Sequence, residues 1–231
     1  MVDGNRQKSG SKLPHSKETM KINEIFYGIQ GESSFAGLPC AFIRLAYCNL
    51  RCSYCDTEYA FYESKEMSIP EIMQAVEPFP TRLALVTGGE PMLQKAVHQL
   101  FQSLLERGYT VLLETGGHMP LGDVDPRVHK VMDFKCPSSG MQEHNDYGNA
   151  EFLSRNDEVK FVIGDRHDFD WACDVVRRHD LVPRVGSVLF SPVHRKLSHQ
   201  EIAEWVLNCG LPVRLQLQLH KIIWPDAPRG V

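Results

Sequence analysis

Three cysteines fall within eight residues, in the run Cys48-Asn49-Leu50-Arg51-Cys52-Ser53-Tyr54-Cys55. Three thiolates on one tight loop can bind one metal centre. A tetrahedral zinc site ordinarily takes four ligands, with a second pair at a distance. No second CxxC or CxxH pair occurs in the chain. A [4Fe–4S] cluster is well served by three thiolates if its fourth iron takes an outside ligand. A structural zinc site and a chance grouping of cysteines are the alternatives. The other four cysteines, Cys40, Cys136, Cys173 and Cys209, are scattered and read as small buried hydrophobes.

Further polar groups stand where apolar runs end. Thr87-Gly88-Gly89-Glu90-Pro91 closes one run and opens a helical pattern. Paired glycines let backbone approach a ligand closely, and free N–H groups at a helix start favour anions. Glu114-Thr115-Gly116-Gly117, Asp133-Phe134-Lys135 and Ser191-Pro192 end other runs. Arg44 interrupts an apolar strand and needs a partner for its charge. A carboxylate of a bound molecule and a structural acid both meet that need. From Arg214 to His220 polar residues alternate with leucine, as in a strand with one polar face or an edge strand facing water.

The elements that position these residues alternate. Strands are predicted at 41–46, 83–87, 110–114, 130–134, 158–163, 187–190 and 213–219. Most are short and rich in Val, Ile, Leu and Phe, as strands covered on both faces are. Ser68 and Glu71 form a capping box ahead of a helix through Val76. Pro91 begins a helix carrying Leu93, Val97, Leu100, Phe101 and Leu104 on one face and ending at Gly108. Helices are also predicted at 169–179 and 199–208, while 115–129 is an irregular connection. Strand–helix alternation predicts an α/β fold with a parallel sheet. About six core strands are too few for a closed eightfold barrel, so an open, partial β/α barrel is expected. Its strand ends would gather the polar groups on one face.

Composition sets outer limits. The chain has 231 residues, 42% hydrophobic and 23% charged, and a formal charge of −4. That is ordinary globular composition, large enough to bury a core without disulfides. No apolar run is long enough to span a bilayer, and the acidic balance argues against a general grip on nucleic acid. Seven cysteines, an odd number, and no apolar leader favour a reducing cytoplasm. Residues 1–19 read as a disordered tail of native or vector origin, and 20–231 as one domain.

The CxxxCxxC run after the first core strand, with Tyr54 before its last cysteine, resembles the radical S-adenosylmethionine (SAM) enzymes. The TGGEP run is similar to that superfamily's GGEP element. Asn23 through Ser33 (NEIFYGIQGES), Gly37-Leu38-Pro39 and Phe42-Ile43-Arg44-Leu45 narrow the resemblance to the 7-carboxy-7-deazaguanine synthases of queuosine biosynthesis. So do Cys55-Asp56-Thr57, Cys136-Pro137-Ser138-Ser139-Gly140 and Gln218-Leu219-His220-Lys221. The likeness covers about residues 20–224.

The resemblance implies a carbon–nitrogen lyase that converts 6-carboxy-5,6,7,8-tetrahydropterin to 7-carboxy-7-deazaguanine with release of ammonia. Its cofactors would be a [4Fe–4S] cluster, SAM and Mg²⁺. Cys48, Cys52 and Cys55 would hold the cluster and Thr57 the Mg²⁺. Tyr54, Cys55, Asp56, Gly89, Glu90, Asp133, Phe134, Lys135 and Ser191 would lie along SAM. Ile29, Gln30, Gly31, Glu32, Arg44, Thr87, Gln218 and His220 would hold the pterin. No catalytic side chain is implied beyond the cofactors. A flavodoxin-like or ferredoxin-like electron donor and a homodimer are also implied. A glycyl-radical activase and a non-catalytic zinc or Fe–S protein are the competing functions. Activases often carry further cysteine sets, which this chain lacks.

Overall fold

A computed structural model describes residues 19–227, 229 and 230. The tail expected at 1–19 lies outside these except for Thr19, which is already paired in the sheet.

The described strands form one open sheet. They are β1 (Thr19–Ile29), β2 (Pro39–Leu45), β3 (Lys65–Ser68), β4 (Leu83–Gly88), β5 (Thr110–Thr115), β6 (His129–Phe134), β7 (Glu158–Ile163), β8 (Ser187–Pro192) and β9 (Arg214–Leu215). The spatial order is β3-β1-β2-β4-β5-β6-β7-β8-β9. From β2 onward every pairing is parallel, while β1 pairs antiparallel with both β2 and β3. The six core strands from β2 to β8 are those predicted, with ends shifted by up to two residues.

Alternation along these strands divides the side chains between two environments. Ile43, Leu45, Val86, Leu113, Met132, Phe134, Val159 and Phe161 belong to the main apolar core. Helices cover that face: α1 (Ile69–Val76), α2 (Val97–Glu106), α3 (Arg166–Arg178) and α5 (His199–Asn208), with the single-turn α4 (Leu181–Arg184). The intervening residues Arg44, Thr87, Glu114, Asp133 and Lys160 face inward and line a cavity. Below them Cys40, Phe42, Leu83, Leu85 and Leu112 make a separate apolar floor. Phe26 stacks on Phe42 with ring centroids 4.5 Å apart.

Four features depart from the sequence expectation. β1 and the short charged edge strand β3 were not predicted. The helix placed at Pro91 is a 3-10 turn, Pro91–Leu93, and α2 begins only at Val97. Gln94 separates them because its side chain bonds the backbone of Lys21, at 2.7 Å to the nitrogen and 2.9 Å to the oxygen. The strand predicted at 213–219 pairs only at Arg214–Leu215, and Leu219–Ile223 is a helix, α6. The chain leaves the sheet because Leu219 N donates to Gly31 O at 3.0 Å and Gln218 Nε2 to Glu32 Oε1 at 2.6 Å. The capping box stands as predicted: Glu71 accepts from Ser68 N at 2.7 Å.

Candidate active site

The cavity on the inner face of the sheet measures about 460 Å³. One end is the loop that follows β2. Cys48, Cys52 and Cys55 all line it, as do Tyr54, Asp56 and Thr57 between and after them. Burial raises all three thiols, Cys55 to about 11. Among the described residues no three His, Cys, Asp or Glu side chains converge on a point that would hold a single metal ion. Three thiolates on one short loop lining one cavity suit a cluster in which each takes its own iron.

Gly88 and Gly89 explain how the second core strand meets this loop. Gly88 has φ of +135°. An added Cβ there would overlap the backbone of Leu45, and one on Gly89 would overlap the carbonyl of Tyr47. Gly89 N donates to Leu45 O at 3.1 Å and Glu90 N to Tyr47 O at 2.8 Å. The glycines thus seat the TGGEP turn against the chain just before Cys48. A Gly89→Ala variant should lose about 3 kcal/mol or more of stability, measurable by denaturant titration, because backbone on both sides must move.

Glu90 follows, 1% exposed. Its carboxylate accepts from Met92 N at 3.0 Å, Thr115 Oγ1 at 2.8 Å and Gly116 N at 2.8 Å. Burial still raises its pKa above the ordinary carboxylate value. His118 spans Glu90 and the cysteine loop, with Nε2 2.6 Å from Asn49 Oδ1. Burial lowers this imidazole to about 4, so it is neutral at pH 7.

Another wall of the cavity is charged. Lys160 Nζ donates to Glu32 Oε2 at 2.7 Å and lies 3.9 Å from Asp133. Lys135 Nζ donates to the same Asp133 carboxylate at 2.9 Å. Burial works to lower the Lys160 ammonium, but Glu32, Glu114 and Asp133 together raise it. Burial likewise works to raise Glu32, but Lys160 and Gln218 hold it below its ordinary value. Burial wins at Glu114, which is raised, with its Oε2 accepting from Thr87 Oγ1 at 3.0 Å.

Arg44 donates through Nε to Glu24 at 2.8 Å, so the structural acid weighed as its partner is present. Its two terminal nitrogens carry no hydrogen bond among the described residues and remain free to clamp an anion. Gln30 Nε2, His118 Nδ1 and Asp133 Oδ1 are buried and unpartnered among the described residues. Buried polar atoms in a cavity wall without protein partners mark where a polar ligand would bond.

Of the residues that the resemblance assigns to the site, sixteen line this one cavity: Gln30, Glu32, Arg44, Cys48, Cys52, Tyr54, Cys55, Asp56, Thr57, Thr87, Gly89, Glu90, Asp133, Lys135, Gln218 and His220. Four do not. The Phe134 side chain faces the opposite way into the main core, against Tyr147 and Phe161. Ser191 is buried with its hydroxyl unpartnered among the described residues. Ile29 ends β1, and Gly31 packs its backbone against His220. Lys160, His118 and His194 also line the cavity, with no role expected from sequence, as does Lys221, expected only as the end of the Gln218–Lys221 motif. Lys160 sits in an apolar run, and its partner Glu32 is 128 residues away in sequence.

The profile of the Radical SAM superfamily matches residues 43–207. The 7-carboxy-7-deazaguanine synthase of Chlorobaculum tepidum is 48% identical over 216 residues, covering 92% of this chain and 97% of that protein. The enzyme of the same name from Koribacter versatilis is 44% identical over 226 residues, covering 92% and 100%. Among solved structures, QueE from Escherichia coli superposes with a TM-score of 0.67 at 21% identity, covering 87% of this chain and 94% of that one. At that identity the likeness speaks for the fold alone.

Proposed function

The chain belongs to the radical SAM superfamily and, within it, to the 7-carboxy-7-deazaguanine synthases, and from that premise we propose how its cavity serves the reaction. It is a lyase of queuosine biosynthesis that uses a [4Fe–4S] cluster and SAM. The substrate is 6-carboxy-5,6,7,8-tetrahydropterin, converted with release of ammonia. The observation that carries this reading is the convergence of three cysteines, the Gly-Gly-Glu turn and a wall of paired charges on one cavity.

Cys48, Cys52 and Cys55 would hold the cluster. Bound there, cluster and SAM would supply one-electron chemistry to the pterin. Glu90 lies beside the cysteine loop, where its carboxylate suits the SAM amino group. Lys135 and Asp133 form the neighbouring polar wall. Arg44 turns its free guanidinium edge toward the substrate carboxylate. Glu32, fixed by Lys160 and Gln218, offers a carboxylate to pterin N–H donors. Thr87, Gln30 and His220 supply further polar contacts. Phe42, Leu85 and Phe61 line the same space and exclude water around the reacting ring.

Thr57 is the proposed oxygen ligand of Mg²⁺. Its hydroxyl donates to Asp56 Oδ1 at 2.8 Å. Against burial, Lys221 at 3.1 Å brings the Asp56 carboxyl to about 2 and keeps it ionised. Oxygen donors beside a fixed carboxylate suit a hard cation. A flavodoxin-like or ferredoxin-like protein delivers the electron, the enzyme works as a homodimer in the cytoplasm, and residues 20–231 make one domain. No described helix is long and apolar enough to cross a membrane.

Anaerobic turnover of the reconstituted protein with the carboxypterin, read by mass spectrometry, tests the function. The deazapurine should form. Its absence with an intact cluster and SAM present would reject the assignment. Arg44→Ala should lower kcat/KM for the carboxypterin roughly 10- to 100-fold, the worth of a lost charged pair. Uncoupled SAM cleavage should persist in that variant. Equal loss of both activities would remove Arg44 from the substrate site.

A further inference from the structure

The Cys136-Pro137-Ser138-Ser139-Gly140 turn takes no part in the cavity, yet it is tightly built. Asp168, in the first turn of α3, is 0% exposed. Its Oδ1 accepts from Ser138 N at 2.9 Å, and its Oδ2 accepts from Gly164 N at 2.8 Å and from the Ser138 hydroxyl. Asp168 N in turn donates to the N-cap, Asp165 Oδ1, at 2.9 Å. A buried carboxylate held by three donors from two other chain segments fixes those segments to the helix.

The turn is fixed from within as well. Ser139 is also 0% exposed, and its hydroxyl donates to Cys136 O at 2.6 Å while accepting from Met141 N at 3.0 Å. The carbonyls of Ser138 and Ser139 meet the cysteine loop. Ser53 uses both: its hydroxyl donates to Ser138 O at 2.7 Å and its backbone nitrogen to Ser139 O at 2.9 Å. Ser53 follows Cys52 directly, and Cys55 N donates back to Cys52 O at 3.1 Å. Ser53 is itself exposed, so its paired bonds contribute little to the core. They fix the path of the cysteine loop.

We propose that Asp168 is a positioning residue for the cysteine loop, acting through the Ser138-Ser139 turn on Ser53 to hold Cys52 and Cys55 at cluster-binding separation. The proposal rests on the reading that these cysteines carry the [4Fe–4S] cluster. Groups that orient metal ligands commonly change metal retention by one to two orders of magnitude when removed.

The test is chelator-driven loss of the cluster's visible absorption from the anaerobically reconstituted full chain. Ser53→Ala and Asp168→Asn should each release iron roughly 10-fold faster than the parent. The double variant should be no faster than the faster single, because both cut one line of contacts. Ser53→Thr, which keeps the hydroxyl, should behave as the parent. Melting temperature should be unchanged in Ser53→Ala, separating loop positioning from general destabilisation. Parent-like release in Ser53→Ala, or rates that multiply in the double variant, would overturn the proposal. A parent chain that takes up no cluster would instead overturn the cluster reading itself. Parent-like release in Asp168→Asn would likewise overturn the positioning proposal, and should that variant fail to fold, Ser138→Ala, which removes the hydroxyl bonded to Asp168 Oδ2, takes its place.

Discussion

A Cys48→Ala variant, reconstituted with iron and sulfide without oxygen, is expected to turn over the carboxypterin at less than about a thousandth of the parent rate. Cys48 sits at the start of the loop, where Tyr47 takes φ of +73° and Glu90 N bonds its carbonyl. Arg51 donates to Cys48 O at 2.7 Å, so the backbone there stays anchored when the weak bond from Leu50 N to the thiol, at 3.4 Å, is lost. Removing the sulfur should therefore cost under about 1 kcal/mol of stability. No other cysteine can take its place. Cys40 lies in the apolar floor, Cys136 and Cys173 pack in the main core, and Cys209 caps the end of α5. Iron and sulfide per chain should fall together with product formation, while the melting temperature holds. Parent-like turnover at low iron content would remove the cluster from the mechanism. Cys52→Ala and Cys55→Ala should behave alike.

The six parallel core strands were legible because strands covered on both faces are short apolar runs, which local sequence displays directly. β1 carries its own alternation, with Met20 and Ile22 buried, but its later residues Phe26 and Tyr27 lie at a partly exposed edge and blur the period. β3 is short and charged, as edge strands are, and resembles a loop in sequence. The segment after Arg214 alternates like a strand, yet its path is set by Glu32 and Gly31, more than 180 residues earlier. The same non-locality governs the site. The cysteine loop is a local pattern and announced itself. Lys160 is one of two charges in EVKFVI, and only the fold brings Glu32 and Asp133 to it. His118 gains meaning only from Asn49 and Glu90 across the cavity.

The buried wall around Lys160 predicts the largest loss of stability. Lys160→Met keeps much of the volume but removes the cation that compensates Glu32 and faces Asp133 and Glu114. Breaking a buried pair by removing one partner costs about 3–5 kcal/mol. The loss should also depend on pH. The Lys160 pKa is raised in the fold, so its contribution is complete below the ordinary lysine value and is lost only as pH climbs through the folded value. Glu32 is lowered in the fold, so its contribution is present above the ordinary carboxylate value and is lost as pH falls through the folded one. Between about pH 5 and pH 8 the parent pair should therefore stabilise evenly. In the variant, burial raises Glu32 against only the Gln218 hydrogen bond and the nearby His220, and Glu114, already raised, rises further. A raised carboxylate favours the fold while protonated and opposes it as pH passes upward through its folded pKa. The variant should thus lose stability more steeply than the parent from about pH 5 to pH 8. Denaturant midpoints across that range measure it. Adding Glu32→Gln should recover roughly 2 kcal/mol at the upper end, because the uncompensated charge is removed with its partner. A variant whose pH profile matches the parent's would mean that water, not Lys160, compensates these carboxylates.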